Sequence, residues 1–333
     1  MFDLPQIETV ELSPRIVHEV VVDSRDGVSW DTSLSKIATG HLSTMSDEAL
    51  DEDWRLNDFF GTIMVINLPR SKERLTQITQ ELYGINTHTF NVFPAIDGRK
   101  ELPPSIWQKI QQNRERYDIK TVEGRASLDR LHQGEAGCYM SHYMIIRKMK
   151  EAFDHALVDF KAATEKGDEE TIKIANEKLR KYSSVLILED DVCFGIVERN
   201  GNISKNGTGR ILREALLALP DDWGILYFVV RPTQRTSEVS PHLRKIKKSF
   251  CLMAYAISHR MYEPLINVLE KIEDPNVTSV FAVDNEIGAI QSKHEVYAIN
   301  PSIAFGQEGG ASEITGATNL SLCQPQPFAG REK

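Results

Sequence analysis

Three consecutive carboxylates, Glu189, Asp190 and Asp191, follow directly on the apolar run Val185-Leu186-Ile187-Leu188. Like charges packed this closely repel unless a cation or protons intervene. Hard divalent cations such as Mn²⁺ or Mg²⁺ take carboxylate oxygens and bridge to phosphates. The pattern therefore reads as a metal site for a nucleoside diphosphate, with an acidic turn in water as the plain alternative. Extended backbone would point Glu189 and Asp191 to one side and Asp190 to the other. A second constellation is Gly134-Glu135-Ala136-Gly137-Cys138-Tyr139-Met140-Ser141-His142. Its glycines allow close backbone approach, and a helix starting there would favour an anion at its N-terminus. Cys138 and His142 are four apart and share a helix face. Glu135, Ser141 and His142 are candidates to surround a substrate; the alternative is a capped helix with a satisfied core histidine.

Two further segments carry chemistry. In Ala282-Val283-Asp284-Asn285-Glu286, Asp284 stands at the entry of a short helix, as a general base or as an N-cap. Ile66-Asn67-Leu68-Pro69-Arg70-Ser71-Lys72-Glu73-Arg74 follows a strand and suits a nucleotide-holding turn. There is no G-x-G-x-x-G, Walker A, G-x-S-x-G or H-E-x-x-H sequence, which excludes dinucleotide, P-loop, esterase-elbow and zincin readings.

The elements that must position these residues are legible from patterning. The run Thr62–Leu68 suits a strand buried on both faces. Ser71 caps a helix to Tyr83, stopped by Gly84, and a strand from His88 to Ala95 ends at Asp97-Gly98. This β-α-β opening predicts an α/β domain with a right-handed crossover. A helix is expected from Cys138 to about Phe160, strands at 185–188, 224–230 and 251–257, a helix over 258–269, and a last strand at 295–299. Ligands of open α/β sheets bind at the carboxyl ends of strands, where the acidic triplet sits.

The 333 residues carry 39 basic and 48 acidic side chains, and 41% are hydrophobic, ample for a core. Residues 1–60 hold 13 acidic and 4 basic side chains, the whole net charge of −9. They read as a separate acidic extension, wrapped on the body or solvated. An acidic chain is a poor nucleic-acid binder and offers nothing polybasic to anionic lipid. No apolar run approaches the ~20 residues that span a bilayer, so only peripheral membrane contact stays open. Cys138, Cys193, Cys251 and Cys323 lack C-x-x-C spacing and read as reduced thiols. With no signal-peptide pattern at the start, the expectation is a cytoplasmic protein, and the four Asn-x-Ser/Thr sequons read as chance matches.

Taken in order, several segments resemble glycosyltransferase family 25. They are Ile66-Asn67-Leu68 to Arg74; Ala95-Ile96-Asp97-Gly98; the Gly134–His142 segment; and Leu186 to Asp191. Asp222-Trp223-Gly224-Ile225-Leu226-Tyr227, Ala254-Tyr255-x-Ile257-Ser258 and Val283-Asp284 complete the set. The resemblance spans about residues 62–316. It implies a GT-A-like, Rossmann-type mixed sheet flanked by helices over 61–320. Helical insertions fall near 99–131 and 150–183, with a flexible tail at 321–333. It implies an inverting, metal-dependent transfer of a hexose, galactose or glucose, from a UDP-sugar to a lipopolysaccharide-like glycan or protein hydroxyl. Carried onto this chain, Glu189 and Asp191 hold Mn²⁺ or Mg²⁺, and Asn67, Leu68, Arg74, Asp97, Ser141 and Asp190 bind the nucleotide sugar. Asp284 acts as base, and Glu135 and His142 position donor or acceptor. Gly224 departs from the acidic residue usual there, and Ser312 matches a serine of the closing segment. A metal-dependent nucleotide-sugar hydrolase, or a degenerate transferase acting as a binding protein, are the alternatives.

Overall fold

The apolar run at Thr62 forms β2 (Thr62–Asn67), buried along its whole length. Its side chains alternate between two cores: Ile63 and Val65 pack on one face of the sheet, Met64 and Ile66 on the other. A strand buried on both faces cannot afford the polar alternation of a half-exposed one, which is why the run is continuous. The same holds for β4 (Ser184–Glu189), with Leu186 and Leu188 on the first face and Val185 and Ile187 on the second. The computed structural model describes residues 7–11, 54–114, 122–197, 203–232 and 236–306. The apolar run 16–22, the acidic segment 47–53 and Ser312 lie outside the described residues.

Among the described residues the central sheet has nine strands. In chain order these are β1 (Glu8–Glu11), β2, β3 (Thr89–Pro94), β4, β6 (Ile225–Tyr227), β7 (Ser237–Ser240), β8 (Leu243–Lys245), β9 (Ala254–Ser258) and β10 (Val296–Ile299). A separate pair joins β5 (Val192–Phe194) to β11 (Ala304–Gly306). The spatial order is β1-β3-β2-β4-β9-β6-β10-β8-β7. β3, β2 and β4 run parallel. β9 is antiparallel to both β4 and β6, and β10 returns parallel to β6. The result is the expected mixed α/β sheet flanked by helices. One face is covered by α1 (Leu56–Phe59), α2 (Lys72–Gly84) and α6 (Thr208–Leu217). The other is covered by α3 (Pro104–Arg114), α4 (Val122–Lys166), α7 (Tyr262–Leu269) and α8 (Val283–Ile290).

Several expectations are corrected. The helix expected from Cys138 begins at Val122 and runs 45 residues, so Gly134 and Gly137 lie inside it and this helix has no N-terminus at those glycines. Packing explains the glycine: a Cβ on Gly137 would overlap the Ile96 carbonyl and come within 2.8 Å of the Gly98 nitrogen. Gly84 ends α2 within the helix, and the left-handed residue is Asn86, with φ 60°. Asn tolerates that region because its short polar side chain bonds locally. β10, held between β6 and β8, is not the last strand of the chain; β11 follows it. Two pieces of the segment read as an extension lie on the body: β1 pairs with β3, and Trp54, Leu56, Phe59 and Phe60 are buried in the first core. The acid-rich composition around them masked these few apolar anchors. The 150–183 stretch forms the end of α4 and α5 (Glu169–Lys181), reversed at Gly167 (φ 72°), with Asp168 accepting from the Thr171 amide at 3.1 Å.

Candidate active site at the carboxyl ends of the parallel strands

Parallel pairing sets Ile66 opposite Glu189 and Asn67 opposite Pro94. The residues that follow each strand therefore converge on one edge: Leu68 to Arg74, Ala95 to Arg99, and Glu189 to Asp191. The buried stretch of α4 closes over them. The cleft opens on solvent and is lined by Leu68, Arg74, Asp97, Ser141, His142, Glu189, Asp190 and Asp191, together with Arg70, Arg99 and Cys138.

Each side chain is held by a neighbouring element. Asn67 is buried and does not line the cleft; its amide donates to Asp190 Oδ2 at 2.7 Å and to the Ser71 carbonyl at 3.1 Å. Arg74, reaching back from the first turn of α2, donates to Asp190 Oδ1 at 3.2 Å and lies 3.9 Å from Asp191 Oδ2. Asp190 and Asp191 thus share one cation, against the strict alternation expected. The reason is local: β4 ends at Glu189, and Asp190 and Asp191 form the turn into β5. Asp97 accepts from Arg70 and from the Arg99 amide at 3.1 Å. Ser141 is fully buried: it donates to the Gly137 carbonyl at 2.7 Å and accepts from the Ile96 amide at 2.9 Å, pinning α4 to the loop that carries Asp97.

Glu189 turns toward α4. Its Oε1 lies 3.5 Å from His142 Nε2 and 3.9 Å from Cys138 Sγ. His142 is fully buried, with Nδ1 3.0 Å from the Tyr255 hydroxyl. Glu135 and Asp284 do not line the cleft, yet both carboxylates are near enough to help raise the Cys138 thiol, after burial and Glu189. Asp284 sits inside the first turn of α8, with Ala282 at the cap position, so it is no N-cap. Burial first, and Glu189 to a lesser degree, push its carboxyl up, while the Asn285 amides hold it down.

The residues fit a hard divalent cation. Asp191 Oδ1 is buried with no hydrogen-bond partner. Burial, then the charges of Glu189 and Asp190, push the Asp191 carboxyl well above the usual range, with Arg74 only partly offsetting them. A cluster still short of positive charge is what such a cation would neutralise. Arg70, Arg74 and Arg99 on the same cleft supply donors for phosphate oxygens. Arg70 and Cys138 were quoted in their motifs without a role; Tyr255 came only as part of an apolar strand. The Gly134–His142 segment, with Cys138 and His142 four apart, is the sequence signal for the α4 side of the site.

Residues 60–158 match the model of glycosyltransferase family 25, described as an LPS biosynthesis protein. The family 25 domain supports glycosyltransferase activity for this chain. It covers β2, α2, β3, α3 and most of α4, and with them Asn67, Arg74, Asp97, Glu135, Ser141 and His142. Glu189 to Asp191 and Asp284 lie beyond the matched residues and join the family 25 segment through the fold. A comparison with curated proteins finds no match. Among the described residues, no helix is long and apolar enough to cross a membrane.

Proposed function

We propose that the chain is a metal-dependent, inverting hexosyltransferase of GT-A type, moving galactose or glucose from a UDP-sugar to a hydroxyl of a lipopolysaccharide-like glycan or a protein. The observation that carries this reading is the pairing, in one cleft, of arginines with a buried, under-neutralised run of carboxylates at parallel strand ends. A nucleoside diphosphate with its cation needs both.

Glu189 and Asp191 would hold Mn²⁺ or Mg²⁺, which when bound supplies positive charge to the departing diphosphate. Asn67 and Arg74 fix Asp190 and, with it, the geometry of the turn. Leu68 and Asp97 line the part of the cleft that receives the nucleoside. Ser141 keeps α4 against the Asp97 loop. Asp284, its carboxyl already raised, takes the proton of the acceptor hydroxyl. As that oxygen bonds to the anomeric carbon, the bond to the diphosphate oxygen breaks and UDP leaves. From α4, His142 at the cleft and Glu135 behind it position the donor sugar or acceptor. The chemistry fits a cytoplasmic location, where nucleotide sugars are made and a membrane-bound glycan acceptor would be met peripherally.

The test is Mn²⁺-dependent release of UDP from UDP-galactose and UDP-glucose with a glycan acceptor. Asp191→Ala is expected to lower kcat by about 100-fold or more, the scale of losing a dominant electrostatic group. Transfer at the unmutated rate would sink the reading.

A further inference from the structure

Cys138, His142 and Glu189 form a cluster whose thiol has no part in sugar transfer, although His142 and Glu189 are shared with that reading. Cys138 and His142 stand one turn apart on α4, and Glu189 closes the triangle from the end of β4. The three ligand atoms, Sγ, Nε2 and Oε1, lie within 4.8 Å of one another. Oε1 is 3.5 Å from Nε2 and 3.9 Å from Sγ. Zinc bonds of roughly 2.0–2.3 Å set tetrahedral ligand atoms about 3.3–3.8 Å apart, so small side-chain adjustments suffice.

The histidine gives the second observation. His142 is fully buried, and its Nε2 makes no hydrogen bond although it faces the cluster. Its other nitrogen lies 3.0 Å from the Tyr255 hydroxyl. If Nδ1–H donates to Tyr255, the Nε2 lone pair points at Cys138 and Glu189. A ligating histidine ordinarily has such an outer partner, which fixes its tautomer and ring plane. Thiolate plus imidazole is a soft donor pair, unlike the all-oxygen set of Glu189 and Asp191. Cys138, His142 and Glu189 all line the cleft, so an ion could enter and keep its fourth position open to it.

We propose that Cys138, His142 and Glu189 bind a soft divalent cation of the Zn²⁺ class at a site distinct in chemistry from the hard-cation carboxylates beside it. Binding breaks the Cys138 S–H bond and forms a sulfur–metal bond, the proton passing to solvent. The proposal concerns binding alone; it shares Glu189 and His142 with the sugar-transfer reading, and the state of the Cys138 thiol tests it separately from transfer.

The experiment uses the full chain and reads the thiol directly. Alkylation of Cys138 by iodoacetamide is mapped by mass spectrometry with Zn²⁺, with Mg²⁺ and with neither, using Cys193 and Cys251 as internal references. Zn²⁺ is expected to suppress labelling of Cys138 selectively, and Mg²⁺ is not. In parallel, Co²⁺ as probe should give a thiolate-to-metal charge-transfer band at one equivalent, lost in Cys138→Ser. That variant should weaken Zn²⁺ by more than the roughly 10–100-fold that follows loss of an outer-shell partner. Tyr255→Phe, which keeps the ring, should weaken it within that range. Unchanged Cys138 labelling under Zn²⁺, equal protection by Mg²⁺, or a cobalt band that survives in Cys138→Ser would each overturn the proposal.

Discussion

The two ends of α4 belong to one unbroken helix and behave as different materials. From His132 to Met149 thirteen of eighteen residues are buried, and Tyr139, Met140, Ser141, His142, Met144, Ile145, Ile146 and Met149 are at or near zero exposure. This length lies between the sheet and α7, tied by the Tyr139 hydroxyl donating to the Leu269 carbonyl at 3.0 Å. From Lys150 onward the helix is mostly exposed; after early contacts of Lys150 with Glu263 and of Phe153 with His259 and Tyr262, it packs along α5, itself mostly exposed. All the α4 residues of the site, Glu135, Cys138, Ser141 and His142, sit in the first length. The difference teaches where this fold keeps its precision. Site residues stand where packing fixes the backbone from two sides, and the remainder of the helix is free to vary.

The largest break in that contrast is expected at Gly98. A Cβ there would overlap the Gln133 carbonyl and stand 2.8 Å from the Gln133 carbonyl carbon, both backbone of the buried length of α4. Backbone cannot swing aside as a side chain can. Gly98→Ala should therefore cost about 3 kcal/mol or more, at the upper end of overpacking, as read by denaturant unfolding. It should also lift the Asp97 loop off Ser141 and abolish the stabilisation that UDP is expected to give in a thermal melt. A variant of wild-type stability would show that loop and helix are not in fixed contact.

This site was legible in sequence to the extent that its residues follow buried strands. The runs before Asn67 and Glu189 are apolar on both faces, so their ends, and the carboxylates there, could be placed without coordinates. Ser141 could not. Its side chain is spent inside the protein, between residues 137 and 96, and nothing in spacing distinguishes that from a ligand contact. The early start of α4 was hidden for a similar reason. Gly134 and Gly137 signal a helix boundary by propensity, and only the contact of Gly137 with residues 96 and 98 explains why small residues stand mid-helix. The attachment of residues 8–11 and 54–60 depends on a strand pairing and a few aromatic contacts across the chain, which local composition does not encode.

An intermediate effect is expected where α4 turns into α5. Gly167 has φ 72° and open space around it, so added bulk meets nothing. The penalty of Gly167→Ala is conformational alone, about 1–2 kcal/mol for a left-handed residue with a Cβ. Comparing it with Gly98→Ala separates the two causes: one glycine is required by φ, the other by a neighbour. UDP stabilisation should survive Gly167→Ala, because the turn lies away from the cleft. Its loss would mean that the exposed end of α4 reports to the site, and the contrast drawn above would fail.

The smallest effect belongs to the ion pair that joins the exposed lengths. Lys178 Nζ lies 2.7 Å from Asp159 Oδ2, with side chains 47% and 53% exposed. Water screens such a pair, and fixing two long side chains costs entropy that offsets most of the attraction. A double-mutant cycle with Lys178→Ala and Asp159→Ala should give a coupling of about 0.5 kcal/mol or less. A coupling well above about 1 kcal/mol at ordinary salt would require that the pair be desolvated, as it would be beneath a bound partner.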